Sequence, residues 1–263
     1  MMQSRCASTS PVGRLRLVAL VVGLLSSAAA CERSSSSAPA TVPTLAELDA
    51  DGDVKALGKR LMAITPGTHR LDRQSPDPTK VIIGVHGHGS EGYEWIYPLE
   101  RLGETKAQIH FHRWDYEQCP GPMAATLDTS VDSLLKAQPS IESLQIVAHS
   151  YGGVVAGLVA ADYDGRVPLT VDIVASPLAG IPQLNARCDY DGPKPPAEGV
   201  TLRQWRIRQE LDGAFRDMDP DPQLVDLPGE VTELPESYRG HRLGHNWAIS
   251  WVADRIGGDD PPP

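Results

Sequence analysis

The sequence has no internal repeat, no basic stripe interleaved with aromatic residues, and only four cysteines in 263 positions. Without a repeat, solenoids and other stacked arrays are excluded. Without a basic stripe, and with 24 Lys and Arg set against 34 Asp and Glu, nucleic acid is excluded as the expected partner. The cysteines show no zinc-binding spacing. Acidic residues are missing altogether before Glu32, and that gap is informative. It holds Arg5, Arg14 and Arg16, then the apolar run Leu17–Leu25, then small residues from Ser26 to Ala30. This order is that of a bacterial export signal, and its apolar core is short for crossing a bilayer. No other stretch is apolar and long enough to cross one. Residues 1–30 are therefore expected to be removed. Three arginines and no acid leave with them, so the formal net charge moves from −10 to −13.

Cys31 follows "SSAAA" directly and precedes "ERSSSSAPATVP". This resembles the lipobox of bacterial lipoproteins, which implies acylation of Cys31, membrane anchoring through it and a domain facing an extracytoplasmic space. The alternative is simple secretion after a cut at the A-x-A site Ala28–Ala30. Residues 31–43 read as a Ser/Pro-rich tether, residues 44–256 as one folded domain, and residues 257–263, "GGDDPPP", as a disordered tail. In an oxidising compartment the two cysteines left over, Cys119 and Cys188, are expected to pair as a disulfide. Both lie in loop-like sequence after strand-like runs.

Apolar runs of strand length alternate with helix-like segments: Val81–Val85, Gln108–Trp114, Leu144–Ala148, Leu169–Ala175, Leu202–Ile207 and a weaker Glu230–Leu234. Helices are expected near Trp95–Leu102, Ala124–Ala137, Tyr151–Tyr163 and Asn246–Ile256, with helical spacing also between Leu45 and Ile64. Such alternation predicts an α/β fold, a mostly parallel sheet covered on both faces. The "DADGD" at Asp49 fails as a calcium loop, since its sixth and twelfth positions are Val54 and Arg60.

Two readings compete at "VIIGVHGHGSEGYEW", Val81 to Trp95. Gly87, Gly89 and Gly92 fit the G-x-G-x-x-G loop of nicotinamide-dependent oxidoreductases, with Asp115 as its distant acid. A His-Gly after a strand also suits half of an oxyanion hole. "LQIVAHSYGGVVAGLVAADY", Leu144 to Tyr163, favours the second. Ser150 lies between a strand and a helix of small residues, and Ala148 and Gly152 are small where a strained serine turn tolerates nothing larger. With A-H-S-Y-G as its nucleophile elbow, the chain resembles the lipases and esterases of the α/β-hydrolase superfamily. "ASPLAGI", with Ser176, Pro177 and Gly180, is a further lipase-like segment.

That resemblance implies a single-domain α/β-hydrolase fold and a serine nucleophile, Ser150. His245, just before the last helix, is the implied base in preference to His241. Asp212, in "DGAF", is the implied acid, with Asp217 or Asp219 as alternatives. Backbone N–H groups of His88 and Tyr151 are the implied oxyanion donors. The reaction expected is hydrolysis of a small-molecule carboxylic ester without metal or cofactor; a metal pair at His86 and His88 lacks a third ligand at matching spacing. The segment from Leu178 to Val200 is expected to be a small, loop-like cap, too polar and proline-rich for a hydrophobic lid. A binding or scaffold lipoprotein that keeps the fold is the alternative of another class.

Overall fold

Val81–Val85 is apolar because the strand it builds is covered on both faces. The computed structural model describes residues 41–73, 75 and 77–258. The expected export signal, the expected acylation site Cys31, the expected tether as far as residue 40 and the expected tail from residue 259 lie outside the described residues. Seven strands form one sheet: β1 (Gly67–Arg70), β2 (Asp77–Val85), β3 (Ala107–Arg113), β4 (Ser143–His149), β5 (Leu169–Val174), β6 (Val200–Arg206) and β7 (Glu230–Glu233). Their spatial order is β1-β3-β2-β4-β5-β6-β7. Only β1 runs antiparallel, along β3. This is a mostly parallel sheet flanked by helices, the α/β-hydrolase fold.

Side chains alternate across the sheet. Ile82, Ile109, Phe111 and Val147 join one core, under helices α1 (Val54–Met62), α2 (Ile96–Gly103) and α6 (Trp247–Ile256). Val81, Ile83, Val85, Ile146 and Ile173 join the other, under α3 (Pro120–Ala137) and α4 (Tyr151–Asp162). Gly84 interrupts the apolar run of β2 for a reason of packing. A Cβ there would stand 2.7 Å from the fully buried Trp95 ring.

The topology decides where a site can form. From β2 the chain crosses to β3 on one side, and β4 then takes the other side. A crevice opens at such a switch of direction, outside the carboxyl ends of the strands. Val85 of β2 pairs in register with Ala148 of β4, so the Gly87 loop and the Ser150 turn leave the sheet side by side.

Several local expectations need correction. The helical spacing of Leu45–Ile64 is split: a single 3-10 turn covers Leu45–Glu47, and α1 begins only after Asp53, whose carboxylate accepts from the Ala56 N–H at 3.0 Å. The acidic "DADGD" is the turn between them. Helix α3 starts at Pro120 rather than Ala124, since proline suits the first helical position. Strand β1 and a two-residue hairpin, β8 (Ser237–Tyr238) with β9 (His241–Arg242), had no sequence signal. The cap between Leu178 and Val200 is not loop alone: it carries α5 (Pro182–Cys188), anchored by the buried Leu184. Among the described residues no helix is long and apolar enough to cross a membrane.

Candidate active site

Ser150 sits between β4 and α4 with φ 53° and ψ −126°, a conformation that L-residues adopt at a cost of roughly 1–3 kcal/mol. The neighbours explain how the strain is held. A Cβ on Gly152 would lie 2.4 Å from the His86 carbonyl oxygen, and one on Gly87 would lie 2.8 Å from the Ser150 Cβ. Both glycines are therefore required by close backbone approach. The Ser150 N–H donates to the Val174 carbonyl at 2.9 Å, tying the turn to β5. Tyr151 is the first residue of α4, so its N–H has no partner within the helix.

The glycine loop after β2 is shaped for this serine and not for a pyrophosphate. Gly87 gives way to Ser150, Gly89 (φ 64°) and Gly92 (φ 81°) make turns, and Asp115 accepts from its own loop at Glu117 and Gln118. His86 holds the loop in place. Its Nδ1 donates to the Gly87 carbonyl at 2.9 Å and its Nε2 accepts from the Trp114 N–H at 3.2 Å, while Trp114 Nε1 donates to the His86 carbonyl at 2.8 Å. Both ring nitrogens are engaged with protein, and burial brings the His86 pKa down to about 3. The His88 side chain is largely exposed, against Tyr116 and 3.5 Å from Glu117. His88 lines both an apolar pocket and a small cavity beside Ser150.

His245 lies just before α6, and its Nδ1 donates to Asp212 Oδ2 at 3.0 Å. Asp212 is fully buried, and its other oxygen accepts from the N–H groups of Ala214 (2.7 Å) and Phe215 (3.3 Å). Asp217 and Asp219, the alternative acids, are exposed. Around the imidazole, Phe215 packs edge-on at 5.2 Å and His149 at 4.7 Å between ring centres. His149 Nε2 donates to the His245 carbonyl at 3.1 Å, and burial, followed by the nearby His245, keeps the His149 ring far below its ordinary pKa. The roles of His86 and His149 had no sequence signal. His241 is exposed on β9, stacked near Trp247.

Ser150 and His245 line one pocket of about 450 Å3, without a hydrogen bond between them. Its walls include Tyr151, Pro177, Ile181, Leu184, Phe215 and Met218, so it is mainly apolar. The Tyr151 hydroxyl donates to the Gln118 carbonyl at 2.9 Å, and burial lifts its pKa to about 12. One wall is fastened covalently: Cys188, the last residue of α5, is disulfide-bonded to Cys119, with Cα atoms 5.4 Å apart. Both follow parallel strands, so they meet beyond the carboxyl edge of the sheet. Ser150 and His245 also line a smaller polar cavity of about 80 Å3, with Ser90, Glu94, His149 and Asn246 in its lining.

This crevice, at the switch point of a seven-stranded α/β sheet with a strained serine beside a histidine–aspartate pair, defines a hydrolase of the α/β type. The sequence matches the Alpha/beta hydrolase family over residues 82–261, and the chain belongs to that family. No curated protein matches it. Among solved structures it is similar to an esterase from Pyrococcus furiosus (12% identity, TM-score 0.47, 73% of this chain and 89% of that one). It is also similar to the esterase domain of a Rhodothermus marinus protein (14% identity, TM-score 0.46, 70% and 88%). A third is a serine hydrolase without a lid from Xanthomonas campestris (14% identity, TM-score 0.47, 73% and 85%). At such identities the likeness concerns the fold alone.

Proposed function

We propose that the protein is a serine hydrolase of carboxylic esters, acting through Ser150, His245 and Asp212 and a covalent acyl-enzyme. The observation that carries this reading is the 3.0 Å hydrogen bond from His245 to the fully buried Asp212, with His245 and Ser150 on one pocket wall. Asp212 fixes the tautomer: with the proton on Nδ1, Nε2 is left as the base. Nε2 takes the proton of Ser150 as its oxygen attacks the ester carbonyl, and gives it to the departing alcohol. Water then attacks the acyl-enzyme by the same route in reverse. The developing oxyanion would be met by the backbone N–H groups of His88 and Tyr151, the latter at the N-terminal end of α4 where the helix dipole favours negative charge. The hydroxyl–imidazole contact is expected to close in the substrate complex, as such bonds often do.

The apolar pocket suits an acyl chain of moderate length. We further propose that residues 1–30 export the chain and that Cys31 is acylated, leaving the domain tethered on an extracytoplasmic membrane face; mass spectrometry of the mature N-terminus distinguishes this from simple secretion. The catalytic reading is tested by fluorophosphonate labelling and p-nitrophenyl ester turnover in wild type and Ser150→Ala. Loss of the serine should abolish labelling and lower kcat about a millionfold. A wild-type protein that neither labels nor turns over esters would favour a scaffold lipoprotein.

A further inference from the structure

A cleft of about 540 Å3 lies beside the small polar cavity, outside the apolar pocket. Its volume falls within the roughly 300–1,000 Å3 usual for small-ligand sites. Two of the four exposed large apolar side chains among the described residues, Tyr93 and Trp247, stand on its walls. They are 36% and 42% exposed, and Trp247 is propped against Tyr238 and His241 at 5.8 and 5.2 Å between ring centres. The polar lining is of both kinds: Asp51 and Glu100 accept, while Asn246, Ser250 and Arg239 donate. The floor is rigid. Asp254 accepts from the Tyr238 hydroxyl at 2.6 Å, from Arg101 at 3.1 Å and from Arg239 at 3.1 Å, with Tyr97 also bound to it.

Tyr93, Glu94 and Asn246 line both this cleft and the small cavity, which also holds Ser150 and His245. The Asn246 amide donates to the Tyr93 hydroxyl at 3.2 Å, forming the sill between the two. The cleft is thus joined to the serine through the small cavity, which shares His88, Ser150 and His245 with the apolar pocket. An ester held by its acyl chain in that pocket would direct its alcohol half toward the cleft.

We propose that the cleft binds a saccharide, and that the alcohol half of the ester substrate is a sugar hydroxyl. Aromatic faces stack on the C–H face of a pyranose ring, and mixed donors and acceptors at the rim match its hydroxyl groups. Arg239 already lies over the Tyr97 ring at 4.5 Å and the Tyr238 ring at 5.1 Å, so those two faces are taken and a cation has no aromatic cage of four rings to enter. The chemical step is the one proposed above: Ser150 takes the acyl group, and the sugar oxygen leaves with the proton that His245 removed from Ser150. The substrate assignment rests on the esterase reading, whereas binding of the sugar does not.

Two measurements separate them. Rates are compared for methyl 6-O-butanoyl-glucopyranoside, ethyl butanoate and p-nitrophenyl butanoate in wild type, Trp247→Ala and Ser250→Leu. The sugar ester should exceed ethyl butanoate at least tenfold in kcat/KM. Both variants should lower it tenfold or more through KM, with p-nitrophenyl butanoate held within twofold. Equal wild-type rates on the two alkyl esters, or equal loss on all three in both variants, would overturn the proposal. Should no ester be cleaved, the esterase reading fails, and cellobiose and maltose are titrated against tryptophan fluorescence. A saturable change that disappears in Trp247→Phe supports the saccharide cleft. No change, or a change with tetramethylammonium alone, overturns it.

Discussion

Asp212 carries more of the site than its single contact with His245 conveys. It is fully buried, and its charge is met by two backbone N–H groups and one imidazole N–H. Buried carboxylates persist only with such partners. Replacing it by asparagine keeps the shape but offers an amide where the imidazole needs an acceptor, so the ring is free to take the wrong tautomer. Asp212→Asn should leave Ser150 in place and lower kcat by about four orders of magnitude. Asp217→Asn and Asp219→Asn, at exposed positions, should stay within a fewfold of wild type. A large loss at either exposed aspartate, with Asp212→Asn active, would reassign the acid. Steady-state rates on one ester across the three variants decide it.

At the scale of elements, the strand–turn–helix around Ser150 is held by glycines chosen for contact, not for flexibility. Gly152 faces the carbonyl oxygens of His86 and Val85, at 2.4 and 2.7 Å from where a Cβ would sit. Alanine there would push α4 away from β2, and both the fold and the serine position would suffer. Gly152→Ala should cost about 1–3 kcal/mol by urea unfolding and remove most activity. Gly121 is the control: nothing lies within 4 Å of its would-be Cβ, and it sits in the first turn of α3. Gly121→Ala should be neutral or stabilising by about 0.4–1 kcal/mol with full activity. The disulfide belongs to this scale too, since it fastens α5 and the loop after β3 into one pocket wall.

For the whole molecule, four buried histidines set a pH dependence. Burial lowers the pKa of His86 to about 3 and of His110 and His112 to about 4, and His149 lies well below its ordinary 6.5. The unfolded chain binds protons at these rings below about pH 6.5, while the folded chain does not. Stability is therefore full above that pH and falls toward pH 4, each ring removing up to about 1.4 kcal/mol per pH unit. Glu94, whose carboxyl is raised by burial, works in the opposite direction but is a single group. Urea unfolding at pH 7.5, 6.5 and 5.5 with the disulfide intact should show a clear drop at the last point. A flat profile would show that the rings are protonated in place.

The cap also acts at molecular scale. Helix α5 has seven residues and is pinned by the disulfide, so it has neither the length nor the freedom of a lid. With the pocket open to water, an oil surface has nothing to release. The rate on a short-chain triglyceride should saturate smoothly through its solubility limit, and a sharp rise at phase separation would overturn this. The net acidic chain should also be slow on anionic lipid aggregates, less so in salt.

The parallel sheet and the serine turn can be read along the chain, whereas His245 is put forward by the resemblance. Strand alternation and the steric demand for small residues at Ala148 and Gly152 act over a few positions, so a local window contains them. The resemblance puts Asp212 forward as the acid, with Asp217 and Asp219 as alternatives that no local pattern removes. Burial separates them: Asp212 is enclosed against His245 while the other two are exposed, and burial is a property of the packed molecule. The clamp of His86 on Trp114, the backing of His245 by His149, and the cleft of Tyr93, Trp247 and Arg239 left no trace in the sequence. Each joins segments that only the strand order β3-β2-β4 and the docking of α6 bring together. Short-range sterics write themselves into neighbouring residues, whereas contacts between distant segments depend on how the whole sheet is assembled.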